Sequence, residues 1–550
     1  MKATILGPLW IACIAWPAFG QTPEAQPAFE AADVHVSAKT GNQFPRTGPV
    51  RGGRYEIKTA TMLDLIRIAY GFDPDKILEG PNWLELDRFD IRAKVPPNST
   101  PETQRLMLQA LLRDRFQLAV HKDTRPVPTF ALMVGKKPQL REAGGTGEGG
   151  CRPQAGSGSP RGGGGQLTMN GNPIVLGPGM TIEYRCRNVT MAEFVRALRG
   201  MIGVSLGANG STVVDETGLT GKWDFDLRYS LPFVGPVLPN SGERIPLPEA
   251  VEKQLGLKLE QRPIPTPVLI VDKVNRKPAE NPPGTAEALP PVPLPTEFEV
   301  ATVKPSDPAS RGGSFQMQPG GRLVAKGIPL SFLINRAFNT NNNDAFAGIP
   351  AFASADRYDI TATVPSGDSA AGPMDMETVA PMLLALLKDR FKLAYHTEQR
   401  LVAAYSLVAV KPKMKKANPE SRIFCRNILS PLGAPPGSRA MECQNITMAQ
   451  FAERLQNVTP DLQSPVSDAT GLEGGWDFTL TFSFRLPVMI PAARSGEAGP
   501  ADAIPEASDP AEGYSIFEAV EKQLGLKLEK QKRPMPVIVI DHLEQKPTED

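Results

Sequence analysis

The chain has 550 residues, with 60 Lys and Arg against 59 Asp and Glu and a formal net charge of +1. That balance gives no global pull toward nucleic acid or an anionic membrane surface. The length exceeds what one core can organise and implies roughly three or four domains, while Gly and Pro, 50 and 56 residues, point to long loops.

At the N-terminus Met1-Lys2 begins a basic region, Ile5 to Trp16 is a short apolar stretch, and Ala18-Phe19-Gly20 places small residues where a signal peptidase reads. This predicts a secretory signal over residues 1–20, cut near Gly20/Gln21, and a periplasmic or secreted mature chain. The apolar stretch is too short to span a bilayer. Cys13 lacks the context of a lipoprotein signal, and no transmembrane segment is expected in the mature chain.

After a polar leader, Gln21 to Ala28, the first repeat is expected over residues 29–278. Thr61 caps a helix through about Tyr70, and Phe89 to Val95 alternates as a strand. Thr100-Pro101-Glu102 opens a second helix, with a cap, a proline at the first position and an acid at the positive end. Its apolar stripe is Leu108, Leu111, Leu112 and Phe116, and strands follow at Gln117 to His121 and Phe130 to Val134. A Gly-rich insertion, about Gly144 to Gly179, separates this subdomain (about 29–143) from a second (about 182–277). The second opens on the capping box Thr190-Met191-Ala192-Glu193. Strands at Thr212 to Val214 and Trp223 to Tyr229, a helix on Glu249-Ala250-Val251-Glu252 and a final strand, Pro267 to Asp272, come next.

Glu249 to Glu260 recurs letter for letter from Glu518 to Glu529, and the surrounding blocks match in the same order, so the chain is a tandem duplication. Leu111 to His121 corresponds to Leu386 to His396, Asp215 to Leu219 to Asp468 to Leu472, and Trp223-Asp224-Phe225 to Trp476-Asp477-Phe478. A proline-rich linker is expected over 279–296, extended and semi-rigid. Repeat 2 then covers 297–550, with subdomains about 297–417 and 441–546. The predicted class is α+β: two tandem homologous repeats, each of two small αββαβ-like subdomains. In the duplicated run, Val251, Leu255, Leu257 and Leu259, with Val520, Leu524, Leu526 and Leu528, are expected to be buried around a Gly256 helix stop, and Glu252, Lys253 and Lys258 exposed.

Removal of the signal leaves Cys151, Cys186, Cys425 and Cys443. Cys186 and Cys443 are repeat equivalents, each with one upstream partner, which predicts Cys151–Cys186 and Cys425–Cys443 disulfides, each worth on the order of 3 kcal/mol. The cysteines have no metal-ligand spacing, so no metal and no cofactor are expected.

His121 and His396 are repeat equivalents, open to a catalytic reading or to a structural one at a strand end. Asp114-Arg115 and Asp389-Arg390 close an amphipathic helix, where they answer helix carbonyls and neighbouring charges or bind an anion. Asp215 and Asp468 precede Thr-Gly turns and are read as turn acceptors. Gly162 to Gly165 lacks the Lys-Ser/Thr of a phosphate loop, and Trp83, Trp223 and Trp476 are read as packing residues.

These blocks resemble a family of exported soil-bacterial proteins, a domain of unknown function. Its signature matches at Leu111 to His121, Val213 to Phe225 and Gln254 to Glu260, and again at Leu386 to His396, Ser467 to Phe478 and Gln523 to Glu529. The resemblance implies location and fold and no chemistry. A helix, a strand ending in Val-Asp, a Gly-Leu-x-Gly turn, a strand, a helix and a strand is also similar to the small N-terminal domains of secretins and TonB-dependent receptors, which bind protein partners. The expected function is a periplasmic binding or interaction module for an envelope protein, peptide or glycan, bivalent through its two copies. The alternative is a cell-envelope hydrolase using Asp114, Arg115 and His121 with Asp389, Arg390 and His396.

Overall fold

The structure, a computed structural model, describes residues 27–548 except 39–44, 48–49, 51–52, 136, 146, 148, 155–165, 170–171, 176–180, 207–211, 231–244, 291–294, 308–312, 319–320, 341–344, 366–375, 429–437, 457, 460–461, 463 and 484–512. The expected signal peptide, most of the leader and Gly162 to Gly165 lie outside the described residues.

One local device recurs four times. Two residues before a helix cap, a strand bulges and the bulged residue takes a positive φ: Thr59 (53°), Asn188 (52°), Gly327 (62°) and Asn445 (51°). Each N–H, lost to the ladder, donates to an Asp that follows an aromatic residue on the neighbouring strand. The four acceptors are Asp90 (2.7 Å), Asp224 (2.7 Å), Asp359 (2.8 Å) and Asp477 (2.9 Å). Bonds from the Ser306 hydroxyl and the Gly327 N–H hold the Asp359 carboxyl below the usual range.

Each bulge opens a unit of the same order. In the first, strand Arg54–Thr61 leads to helix Met62–Tyr70, strands Ile77–Glu79 and Arg88–Lys94, helix Pro101–Phe116 and the long strand Ala119–Val134. In the second, strand Thr181–Val189 leads to helix Met191–Leu206, strands Val213–Asp215 and Trp223–Ser230, helix Leu247–Leu255 and the long strand Leu257–Lys273. Repeat 2 follows the same order, ending in the long strands Ala394–Ala409 and Leu526–His542. Capping boxes start helices at Thr61 and Thr447, and Thr190 exchanges bonds with Glu193 in the same way. The class is α+β in two tandem copies.

The two long strands of a repeat pair antiparallel along their whole length, Leu257 opposite Val134 through Val271 opposite Val120. Two short strands, Gln117 to His121 and Phe130 to Val134, were expected where Ala119–Val134 is continuous, and the expected final strand, Pro267 to Asp272, is the end of the longer Leu257–Lys273; prolines lie inside both. The bonding phase explains their tolerance. Phe130 N–H donates to Thr212, and Leu132 C=O accepts from Glu216, so even positions of this strand turn away from their long partner. Pro126 and Pro128, opposite Pro265 and Pro263, lie in that phase and remove no bond between the long strands.

The ribbon also exchanges core between units. Leu269 and Val271 of the second unit pack with Met62, Ile66, Phe89 and Phe116 of the first, while Phe130 and Leu132 of the first pack with Phe194, Leu227 and Val251 of the second. Neither unit completes its core alone. Outer short strands join in parallel at opposite ends, Ile77–Glu79 on Leu269–Val271 and Val213–Asp215 on Phe130–Leu132. In the duplicated run Val251, Leu255, Leu257, Val520, Leu524, Leu526 and Leu528 are buried, Leu259 is half-buried, and Glu252, Lys253 and Lys258 are exposed.

Both disulfides link residues directly opposite on adjacent strands, Cys151–Cys186 with Cα atoms 4.0 Å apart and Cys425–Cys443 at 4.1 Å. The described part of the proline-rich stretch, expected to be extended and semi-rigid, is docked on repeat 1. It contains the one-turn helix Thr285–Ala288, buries Leu289, and uses Asn281 to accept from the Val34 N–H and donate to Asp33. The repeats also touch directly. Arg422 donates to the Glu79 carbonyl at 2.6 and 3.0 Å and faces Glu85 at 3.7 Å, and Ile423 N–H donates to Asn82. Burial raises the Glu85 carboxyl, and Arg422 draws it back down.

Candidate functional site

The long strands bring together two residues far apart in sequence. His121 Nδ1 lies 2.9 Å from both carboxylate oxygens of Asp272, and in repeat 2 His396 Nδ1 lies 2.8 and 3.0 Å from those of Asp541. A ladder irregularity sits beside each pair, between Val271 and Lys273 and between Ala394 and Tyr395. The His121 side chain is 55% exposed and that of Asp272 43%, so the ring stands at the surface of the ribbon and outside the core. The hydrogen bond to Asp272 raises the His121 pKa, with Asp123 and Glu79 adding to it; Asp541 and then Glu398 do the same for His396.

A raised histidine pKa has a definite sign. The pair's contribution is fully present below the unfolded value near 6.5 and is lost as pH rises through the folded value. In an NMR titration His121 and His396 are expected to show midpoints above 6.5, and Asp272→Asn to lower the His121 midpoint and leave that of His396 in place. A His121 midpoint unmoved by Asp272→Asn would break the assignment.

The other candidates serve elsewhere. Arg115 is buried and directs its guanidinium to the Asn281 side chain, while its carbonyl accepts from the Ala279 N–H. Asp114 is exposed and pairs with Arg113 at 3.2 Å. In repeat 2 Arg390 reaches the carbonyls of Ala301 and Thr548, and pairs with Asp389 at 3.2 Å. Each Arg thus ties down the chain that follows a repeat's last long strand. Asp215 and Asp468 each accept from the N–H and hydroxyl of the Thr two residues on, Thr217 and Thr470.

An Asp-oriented imidazole is one component of a general base. Among the described residues no group of three or more His, Cys, Asp or Glu is placed to hold a metal ion. Sequence reasoning missed Asp272 and Asp541; their equivalence, at Val-Asp and Ile-Asp near the ends of the final strands, was the available signal.

The ribbon edges form the second site. Tyr405 N–H donates to Pro465 and Leu407 C=O accepts from Ala469, so odd positions of Ala394–Ala409 turn away from the long partner. Gln399, Leu401 and Ala403 are in that phase, and the strand pairs on that side only at Tyr405 to Leu407 among the described residues. Leu401 is 68% exposed. Counting from the shared Arg-Phe, Leu401 and Ala403 occupy the places of Pro126 and Pro128. Copy 1 therefore has no N–H at positions 126 and 128, where copy 2 carries outward-phased N–H groups at Leu401 and Ala403 that pair with no strand among the described residues.

A family model described as a protein of unknown function (DUF3738) matches residues 63–274 and 331–543, and the chain belongs to that family. Each match runs from the first helix of a repeat into or through its second long strand, so it spans both interlocked units. No curated protein and no solved structure matches the chain.

Proposed function

We propose that the chain is an exported periplasmic binding module whose second copy takes an extended stretch of an envelope protein or peptide as an added strand. The carrying observation is the edge at Gln399, Leu401 and Ala403, which offers outward N–H groups beside an exposed leucine. Main-chain pairing supplies affinity in such complexes and alternate side chains supply specificity. A peptide satisfies that edge better than a glycan because its donors and acceptors repeat at the same spacing. Export is supported by the signal-like N-terminus and by the two disulfides, which persist in oxidising compartments. The expected bivalence does not extend to this edge, because repeat 1 carries Pro126 and Pro128 at the equivalent positions.

The test places a photo-crosslinker at Leu401, and in a control at Pro126, in the full chain expressed with its own signal. Adducts with an envelope protein from position 401 and not 126, lost on Ala403→Pro with unchanged thermal stability, are the expected result. Equal adducts at both positions, none at either, or a chain retained in the cytoplasm would reject the reading. The second reading, an envelope hydrolase, is favoured by the His–Asp pair present in both copies. It requires a peptide- or glycan-cleaving activity that His121→Ala with His396→Ala abolishes.

A further inference from the structure

Where the end of the first helix, the second helix and the start of the first long strand meet, the two copies differ in a way that identifies a ligand. Repeat 2 fills the junction with rings. Tyr395 packs edge-on against Phe338 with centroids 4.9 Å apart, Phe338 meets Phe346 at 5.6 Å, and Lys388 Nζ lies 5.2 Å from the Tyr395 centroid. Matching the repeats through Met62 with Leu330 and Phe116 with Phe391 puts Tyr70 at the place of Phe338, Arg113 at that of Lys388, Gln109 at that of Leu384 and Val120 at that of Tyr395. Repeat 1 keeps the ring of Phe338 as Tyr70 and the cation as Arg113, which also pairs with Asp114; it has the aliphatic strand Ile77–Glu79 in place of Phe346–Ala347 and no ring at Val120. A cavity of about 680 Å³ remains there, lined by Tyr70, Leu106, Gln109, Arg113 and Val120 among others. Leu106, at 40% exposure, is one of the chain's exposed large apolar side chains.

We infer that the repeat 1 cavity binds an aromatic side chain, Phe or Tyr, of a polypeptide partner, which takes the position that Tyr395 occupies in repeat 2. The chain itself carries the complementary fit: an edge-to-face ring on the floor residue with a cation near its face. Leu106, Val120 and the Tyr70 ring supply the apolar walls, and the Gln109 amide, which donates to the Ala69 carbonyl at 2.8 Å, keeps its carbonyl oxygen for a polar group on the ligand. The site stands apart from the strand edge of repeat 2, and each can fail without the other.

The test titrates N-acetyl-4-fluoro-L-phenylalaninamide into the mature full chain, followed by ¹⁹F NMR and calorimetry. Saturable binding to one site is expected, with N-acetyl-L-leucinamide several-fold weaker and Val120→Tyr about tenfold weaker because the new ring occupies the cavity. Tyr395→Val is expected to open the equivalent space in repeat 2 and raise the stoichiometry from one to two. That gain does not depend on whether Val120→Tyr folds. No saturable binding to the native chain, binding unaltered in a folded Val120→Tyr chain, or a stoichiometry of one in Tyr395→Val would overturn the inference.

Discussion

Leu255→Ala is expected to destabilise repeat 1 by about 2–5 kcal/mol, the range for truncating a buried leucine. Leu255 is the last residue of helix Leu247–Leu255 and is fully buried with Val251, Leu257 and Tyr229. The surrounding core is already shared with Phe130 and Leu132 from the other unit, so a void there loosens the ribbon as well as the helix. Chemical denaturation followed by tryptophan fluorescence measures it, with Lys253→Ala on the exposed face as a control expected to stay within about 0.5 kcal/mol. Because each repeat has its own cores, the loss should fall on the repeat 1 transition and leave that of repeat 2 in place. A chain with unchanged midpoints would show that the duplicated run is not held by packing.

Gly256→Ala is expected to cost more than the conformation alone. Gly256 ends the same helix at φ 64°, and a left-handed alanine costs about 1–2 kcal/mol. A Cβ there would also run into the Lys137 carbonyl oxygen, part of the backbone crossing just outside, where Gln139 N–H donates to Leu255 at 2.8 Å. Gly525 stands in the same relation to the Lys411 carbonyl. Gly218, at φ 65° with open space around its missing Cβ, isolates the two effects. Gly218→Ala should show the conformational cost only, and Gly256→Ala a clearly larger loss by thermal and chemical denaturation. Equal losses at the two sites would mean that the crossing backbone yields.

The candidate chemistry was only half legible. His121 and His396 stood out because they recur, but their partners lie 151 and 145 residues away, and nothing in local pattern joins them. Asp-Arg-Phe suggested a site because its residues adjoin. The helix instead sends Arg115 to the docked linker and leaves Asp114 in water.

Local chemistry in the sequence was enough to determine the duplication, the α+β class, the capped helices, the Gly256 stop and the cysteine partners, since each depends on residues a few positions apart or on comparison of one copy with the other. It also held the fourfold aromatic–Asp signal at Phe89-Asp90, Trp223-Asp224, Tyr358-Asp359 and Trp476-Asp477, whose meaning emerges only once each Asp is seen to accept a bulge N–H across the sheet. Tertiary structure alone decided that the paired short strands are single long ones, because a proline's cost depends on whether its missing N–H would have faced a partner. It alone decided that the units share cores, that Leu401 lies in the outward bonding phase on an edge unpaired there among the described residues, and that a pocket opens beside Val120. Those outcomes depend on which surfaces meet, and that information is spread over residues more than a hundred positions apart.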